Sequence, residues 1–263
     1  MCSICALQSD IYLPFKKNKE MKRNFTHMIA GLLLFSSVIA FGQSTEEILA
    51  KHQTAMGSPE KWAALKSAVV KNKFSVQGMD IESKTSMSIG KAFRTEVEVM
   101  GNKIITVVDE NSGWMIRPAM MGGTGEPEDM PGEQVKLAGT QKNLGSALVQ
   151  AQQAGATIEL VSKEKLDGAD AYLFKVSKAG GEESQVYVSA STYYIIKTIA
   201  KVQANGQTVD TEVNYSNYKA VDGLYFPFTV EAASPMGGMM QVDTTSVELN
   251  VPVDPSLFKK PSK

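Results

Sequence analysis

From residue 67 onwards, apolar and polar side chains alternate along the chain with a period of two. In the stretch 70–76, Val70, Phe74 and Val76 occupy alternate positions with Lys71 and Lys73 between them, and the alternation continues to Val99. Glycines occur between these runs, where hairpin turns would fall. Because successive side chains of a β-strand point to opposite faces of the sheet, the pattern predicts an antiparallel meander with one apolar and one polar face.

Two segments follow a helical spacing instead. Before the meander, Ser44 and Glu47 have the spacing of a capping box, Gly57 is suited to end that helix and Pro59 to begin a second one. Residues 118–155 interrupt the meander with a glycine-rich loop and then one or two short helices, and such an insertion often covers one mouth of a sheet. The whole pattern predicts a mainly β domain of about eleven strands.

Residues 21–42 have the pattern of a targeting sequence, which residues 1–20 do not fit. Basic residues at 22 and 23 precede an apolar run, 28–41, which is too short for the roughly 20 residues that span a bilayer. The run leads into Ala40 and Gly42, which is typical of a secretory signal peptide with a small-residue cleavage site. We therefore expect a signal peptide at 21–42, an exported domain at 43–263, and at 1–20 an extension that results from a mis-assigned start.

Few groups that could perform chemistry occur in the sequence 43–263. Cys2 and Cys5 precede this domain, whose sequence has no thiol for a disulfide, a metal site or a lipid anchor. Its one histidine, His52, has no accompanying nucleophile motif, so we expect no catalytic triad, no metal and no cofactor. The chain has 27 basic and 28 acidic residues, a balance that argues against nucleic acid as a partner. A hydrolase that uses two strand carboxylates stays open as an alternative.

Methionine is clustered in two places in this sequence. It occurs repeatedly at 115–121 and again at 236–240, both times beside glycines. Methionine side chains are flexible and recur on surfaces that accept varied apolar partners. Two such loops beside a sheet would suit a pocket for acyl chains, and the filling of gaps in an ordinary core is the alternative.

Several segments resemble those of one known protein family. They are AMGSPEKW at 55–62, FRTE at 93–96, GWMIRP at 113–118, VDGLYFPF at 221–228 and VPVDPSLF at 251–258. In this order and spacing they resemble the LolA-like periplasmic outer-membrane lipoprotein-sorting proteins, in the form common in Bacteroidetes. The resemblance covers essentially all of 43–263, and the DG-x-x-FPF turn and strand is its strongest motif.

The resemblance implies a half-barrel, in which a single antiparallel sheet curves round an apolar cavity and short helices form a lid. It also implies a periplasmic carrier, neither an enzyme nor lipidated, that takes the acyl chains of lipoproteins from an inner-membrane extractor to an outer-membrane receptor. We expect this carrier to be a monomer. A periplasmic module that senses lipids or lipoproteins, built on the same half-barrel, is the alternative function.

The ligand site expected from the pattern and the resemblance is an apolar face. Its side chains are Phe74, Val76, Met87, Ile89, Phe93, Val97, Trp114, Ile116, Phe174, Phe226 and Phe228. The family holds its lid with an arginine from an early strand, and Arg94 is the residue at that position, although alternation places it on the face of Glu96 and Glu98. Met120, Met121, Met239 and Met240 are further candidates for opening and closing the cavity.

Overall fold

The computed structural model describes residues 43–110, 112–204, 207–233 and 238–261. The expected signal peptide and the extension before it, which include Cys2 and Cys5, lie outside the described residues. Residues Gln43–Lys263 form one compact unit.

The described residues of this unit form four short helices and thirteen strands. The helices are α1 Thr45–Met56, α2 Pro59–Ala63, α3 Gly132–Ala138 and α4 Ala147–Gln153, and 3₁₀ turns occur at Ala119–Met121, Gly139–Lys142 and Pro255–Phe258. The strands are β1 Ser67–Val76, β2 Met79–Ser88, β3 Ala92–Val99, β4 Asn102–Val108, β5 Gly113–Ile116, β6 Glu128–Asp129, β7 Thr157–Leu166, β8 Ala169–Ser177, β9 Glu183–Ser189, β10 Ile195–Ala204, β11 Gln207–Val221, β12 Leu224–Ala233 and β13 Met239–Leu249.

All thirteen strands belong to one open, curved antiparallel sheet. Its order is β6-β5-β4-β3-β2-β1-β13-β12-β11-β10-β9-β8-β7, so the first and last strands of the long meander meet in the middle. The mainly β half-barrel is therefore confirmed, with thirteen strands where about eleven were predicted. One strand that the pattern missed is β6, because two adjacent acidic residues, Glu128 and Asp129, show no apolar alternation.

The N-terminal helices begin and end where their capping residues predict. The Ser44 hydroxyl accepts a hydrogen bond from the Glu47 amide at 3.2 Å, and the Ser58 hydroxyl accepts one from the Lys61 amide at 3.4 Å. Gly57 ends α1 with a φ of 107° and forms a β-bridge with Leu224 at the start of β12. A Cβ at this glycine would lie 2.6 Å from the Gly223 carbonyl oxygen, so the helix reaches the sheet only because the residue has no side chain.

Two faces and two ends of the sheet are distinguished below. The inner face is the one on which α1, α2 and α4 pack, and the outer face is its opposite. The covered end is the end where β1 and β12 begin, at Ser67 and Leu224. The open end is the one at which β1 turns into β2, at 77–78.

Candidate apolar ligand site

The inner face is tightly packed at the covered end and under α1 and α4. Met87 and Phe93 are buried in one cluster with Val108, against Leu144 from the insertion. Phe226 and Phe228 are buried in a second cluster, packed by Leu65 and Trp62. Phe174 is 0% exposed in a third, where Ile48 of α1 and Leu148 of α4 lie over β8 and β9. Ile89 borders the first two clusters and is partly exposed.

The inner face is only partly covered towards the open end. Phe74, Val76 and Val97 are partly exposed there. Across the neighbouring strands, Phe74 pairs with Ile81 and Val242, and Val97 pairs with Ile104. These cross-strand partners share the inner face, so the open end carries an apolar patch. Between this patch and the covered end lie Asn72, Ser83 and Thr244, whose side chains are joined by hydrogen bonds.

A cavity of about 260 Å³ separates the middle of the inner face from the segment 143–147. This inner cavity is lined on the sheet side by Val70, Ile195, Tyr215, Tyr218, Tyr225, Phe226, Pro227, Thr244 and Val247, and on the other side by Met56 and residues 143–147. Along β1, the inner-facing positions that follow Val70 are Asn72, Phe74 and Val76. Asn72 therefore lies between the cavity and the apolar patch at the open end.

Trp62 and Gly145 fix the segment that roofs this cavity. The indole Nε1 of Trp62 donates to the Met56 carbonyl at 3.1 Å, and its ring meets Phe226 edge-on with the centroids 5.1 Å apart. A Cβ at Gly145 would lie 3.2 Å from two carbons of the Trp62 ring, and its φ is 108°. The close approach and the positive φ both require glycine here.

His52 ties the same segment to α1. Its side chain is 0% exposed, with Nδ1 2.6 Å from the Tyr193 carbonyl oxygen and Nε2 2.5 Å from Ser146 Oγ. Burial lowers the pKa of His52, and the hydrogen bond to the Tyr193 carbonyl opposes that shift. A neutral ring that donates from Nδ1 and accepts at Nε2 satisfies both partners. Ser146 in turn caps α4 by accepting from the Leu148 amide at 3.2 Å.

Three of the residues expected at the site lie on the outer face. Trp114 pairs with Val107, and Ile116 pairs with Ile105, in a cluster that Phe258 borders. Val107 pairs with Arg94, which places that residue on the outer face as well. Facing residues share a face, and Gly113 is the β5 residue opposite inner-facing Val108. The structure therefore does not bring Trp114, Ile116 and Arg94 together with Phe93 and Phe226.

Arg94 contacts the C-terminal segment instead of the roof of the cavity. Its Nε and Nη2 donate to Glu96 Oε1 at 2.9 and 2.6 Å, and its Nη1 donates to the Leu257 carbonyl at 3.1 Å. The guanidinium lies 5.6 Å from the Trp114 ring, whose Nε1 donates to the Phe258 carbonyl at 3.0 Å. The arginine thus fastens the end of the chain to the outer face.

The four candidate methionines lie around the open end. Met120 and Met121 follow β5 on an exposed 3₁₀ turn, and Met239 and Met240 begin β13. Met100, in the β3–β4 turn, is 66% exposed and Met120 is 65% exposed. Asn102 joins these two, because its amide donates to the Met100 carbonyl at 3.1 Å and contacts Met120 Sδ at 3.9 Å.

The tyrosines of the inner cavity were not among the expected site residues. Tyr215 and Tyr218 both line the cavity, although alternation would place residues three apart on opposite faces. Between them lies Asn217 with a φ of 54°, a left-handed residue that changes the direction of β11. Burial raises the pKa of Tyr218, whose hydroxyl donates to the Ile195 carbonyl at 2.8 Å.

Neither a metal centre nor a membrane-spanning helix is found in the described part of the chain. No group of three or more histidine, cysteine, aspartate or glutamate side chains there is placed to hold an ion. No helix there has both the length and the hydropathy needed to cross a bilayer. What the described site offers is an apolar, aromatic surface with a helical roof.

The fold and the site define a class of protein: an open β half-barrel with a helix-covered apolar inner face. The structure is similar to that of the LolA superfamily protein NE2245 from Nitrosomonas europaea, at 13% identity and a TM-score of 0.55 over 83% of this chain and 99% of that one. It is also similar to a DUF1329 family protein from Desulfovibrio piger, at 12% identity and a TM-score of 0.52 over 81% of this chain and 97% of that one. No protein-family model and no curated protein matches the sequence. The similarity is one of fold, and it agrees with the LolA-like resemblance of the sequence.

Proposed function

We propose that this protein is a periplasmic carrier that binds the acyl chains of lipoproteins, or of other lipids, and delivers them towards the outer membrane. The observation that carries the proposal is the apolar inner face, which is roofed at one end and partly exposed at the other. The cargo would come from an inner-membrane extractor and pass to an outer-membrane receptor, as the LolA-like sequence motifs suggest.

The proposed binding residues are the expected ones that lie on the inner face. At the open end these are Phe74, Val76 and Val97. In the roofed part they are Phe226, which lines the inner cavity, and Ile89, which lines a second cavity beside it. The inner-facing stretch of β1 from Val70 to Val76 is about 20 Å long at the usual rise per residue, which is comparable to an extended long acyl chain. Met87, Phe93, Phe174 and Phe228 are buried against other side chains and would form the wall behind it.

Carriage requires that binding be favourable and still reversible. Burial of a methylene group contributes about 0.8 kcal/mol, so several acyl chains would be held too tightly to leave without an opposing term. The roof would supply that term, because Trp62, Leu144 and Met56 pack against the sheet and an acyl chain that enters must compete with this packing. A ligand larger than the 260 Å³ cavity must displace some of these contacts.

Native mass spectrometry of the protein purified from the envelope of its own host tests the proposal. We expect a bound mass that organic solvent extracts as acylated lipoprotein or lipid. The same sample, delipidated, should take up a fluorescent fatty-acyl probe and release it to competing lipid. A ligand-free mass together with no uptake of the probe would contradict carriage and leave the inner face without an assigned ligand.

A further inference from the structure

A second, larger cavity lies on the other side of the segment that roofs the inner cavity. It has a volume of about 740 Å³ and is a groove between α1 and α2 on one side and α4 on the other. Its polar walls carry Gln53, Asn143, Gln150, Gln152 and Gln153, and its apolar walls include Met56, Trp62, Leu144 and Val149. We call it the amide groove.

The amide groove has an unusual chemistry for a surface of this protein. None of the side chains that line it is charged, although 21% of the residues in the chain are. The polar groups come from two helices and meet across the groove, where Gln53 Nε2 donates to Gln152 Oε1 at 2.9 Å. Each primary amide offers both donors and acceptors, so the groove can bind either kind of neutral group.

The groove and the inner cavity are separated by a single stretch of chain. Both are lined by Met56 and by residues 143–146. Leu144 packs against two of the buried clusters of the inner face. A ligand whose apolar part lies under this segment can therefore place its polar part on the other side of it.

We propose that the amide groove binds the uncharged polar head of the ligand whose acyl chains occupy the inner face. The inference rests on the proposed carrier function and adds to it a preference for ligands with an uncharged head. A charged head would lose hydration in a groove without a counter-charge, which is costly, whereas neutral amides and hydroxyls exchange hydrogen bonds with water for hydrogen bonds with the glutamines. The peptide that follows an acylated residue and the sugar of a glycolipid both supply this chemistry.

Acylated peptides that differ only in the head test the preference. The probes are C-terminally amidated, tripalmitoylated cysteinyl peptides ending in Ser-Ser, Asp-Asp or Lys-Lys, each used to displace a fluorescent fatty-acyl probe from the full chain. We expect the neutral peptide to bind at least about tenfold more tightly than either charged one, equivalent to about 1.4 kcal/mol. Equal affinities for the three peptides would overturn the inference. A neutral glycosyl diacylglycerol, compared with the neutral Ser-Ser lipopeptide, tells whether the preferred head is sugar or peptide.

A single substitution should reverse the preference. Gln150 is partly buried in the groove, and its Nε2 is 3.4 Å from the Gly145 carbonyl, to which a lysine could also donate. Q150K should bring the affinity for the Asp-Asp peptide to that of the Ser-Ser peptide or above. The matched control is Q185K, because Gln185 is exposed on β9 and lies on the outer face.

The two variants also separate this inference from the carrier function. If the fatty-acyl probe binds, and Q150K and Q185K rank the three peptides in the same order of affinity, the head group does not lie in the groove. The carrier function then stands. If the probe itself fails to bind the unsubstituted protein, the carrier function is contradicted, and the groove with it.

Discussion

The covered end and the open end of the inner face carry the same kinds of side chain in different surroundings. At the covered end Phe93 is 1% exposed, and Phe174, which packs under α1 and α4, is 0% exposed. At the open end Phe74 has an equivalent inner position but stays partly exposed beside Val76. The apolar side chains of the inner face thus form a folding core at the covered end and a partly exposed patch at the open end.

The difference indicates how one sheet can use some of its side chains for folding stability and others for ligand binding. Side chains that are already buried contribute to the free energy of folding and have little left to offer a ligand. Those left partly exposed contribute less to folding and gain when an apolar ligand covers them. Substitutions of fully buried inner side chains should therefore lower stability, and substitutions of partly exposed ones should weaken ligand binding.

The largest effect is expected from truncating the two phenylalanines. F174A should lower the free energy of unfolding by about 3–5 kcal/mol, the usual cost of removing a fully buried phenylalanine side chain. F74A should lower it by much less and should weaken binding of a fatty-acyl probe more than F174A does. Urea unfolding and probe titration measure the two quantities. Equal losses of stability would show that the open end belongs to the core.

His52 should give an effect of intermediate size at the covered end. H52F leaves the Tyr193 carbonyl and the Ser146 hydroxyl without their shared partner, and each buried polar group left unpaired costs about 1–3 kcal/mol. H52Q, which retains a donor and an acceptor, should recover part of this loss. Calorimetry on the two variants measures it, and similar melting temperatures for both would contradict the role of the hydrogen bonds.

The same residue predicts how stability depends on pH. Burial lowers the pKa of His52, so the unfolded chain, with a value near 6.5, binds a proton more readily than the folded one. The contribution is fully present above about pH 6.5 and decreases as the pH falls through the lower folded-state pKa. Unfolding experiments between pH 7.5 and 5 should show this decrease, and H52Q should flatten it. An unchanged slope in H52Q would assign the pH dependence to other groups.

Some of this architecture could be predicted from the sequence because the signals are local. Ser44, Ser58 and Gly57 cap the helices through contacts within a few residues, and alternation along β1 and β3 is a property of each strand. The face that a strand presents depends on the turn before it. The turn between β4 and β5 sets Gly113 opposite Val108 and so sends Trp114 outward, which alternation within β5 alone does not reveal.

The roof and the tyrosines show a second limit. Trp62, Gly145 and Leu144 meet only through tertiary packing, between segments far apart in the chain. Tyr218 reaches the cavity because Asn217 adopts a left-handed conformation inside a strand. Asparagine is among the few residues that tolerate this conformation, so its presence was a weak signal, but no pattern of apolar residues marked it.

Polar substitution on the two faces should sharpen the comparison further. V97N changes an inner side chain near the open end, and I116N changes an apolar outer side chain that was expected from sequence to face the ligand. We expect V97N to weaken binding of the fatty-acyl probe several-fold, since about 25 cal/mol is lost for each Å² of apolar contact removed. I116N should leave the affinity unchanged and affect only stability. Weaker binding in I116N alone would place the ligand on the outer face.

The smallest energetic effect is expected from oxidation of methionine, which reports exposure directly. Mild peroxide should convert Met100 and Met120, at the open end, to sulfoxides long before Met87 and Met56, which are 2% and 4% exposed at the covered end. Because exposed side chains contribute little to folding, partial oxidation should change the free energy of unfolding by no more than about 0.5 kcal/mol. Peptide mass spectrometry gives the order of oxidation, and the covered methionines serve as the internal control.

An acyl ligand that closes over the open end should slow the oxidation of Met240, which begins β13 on the inner face, and leave that of Met100 unaltered. Protection of neither would mean that bound acyl chains do not extend to this end.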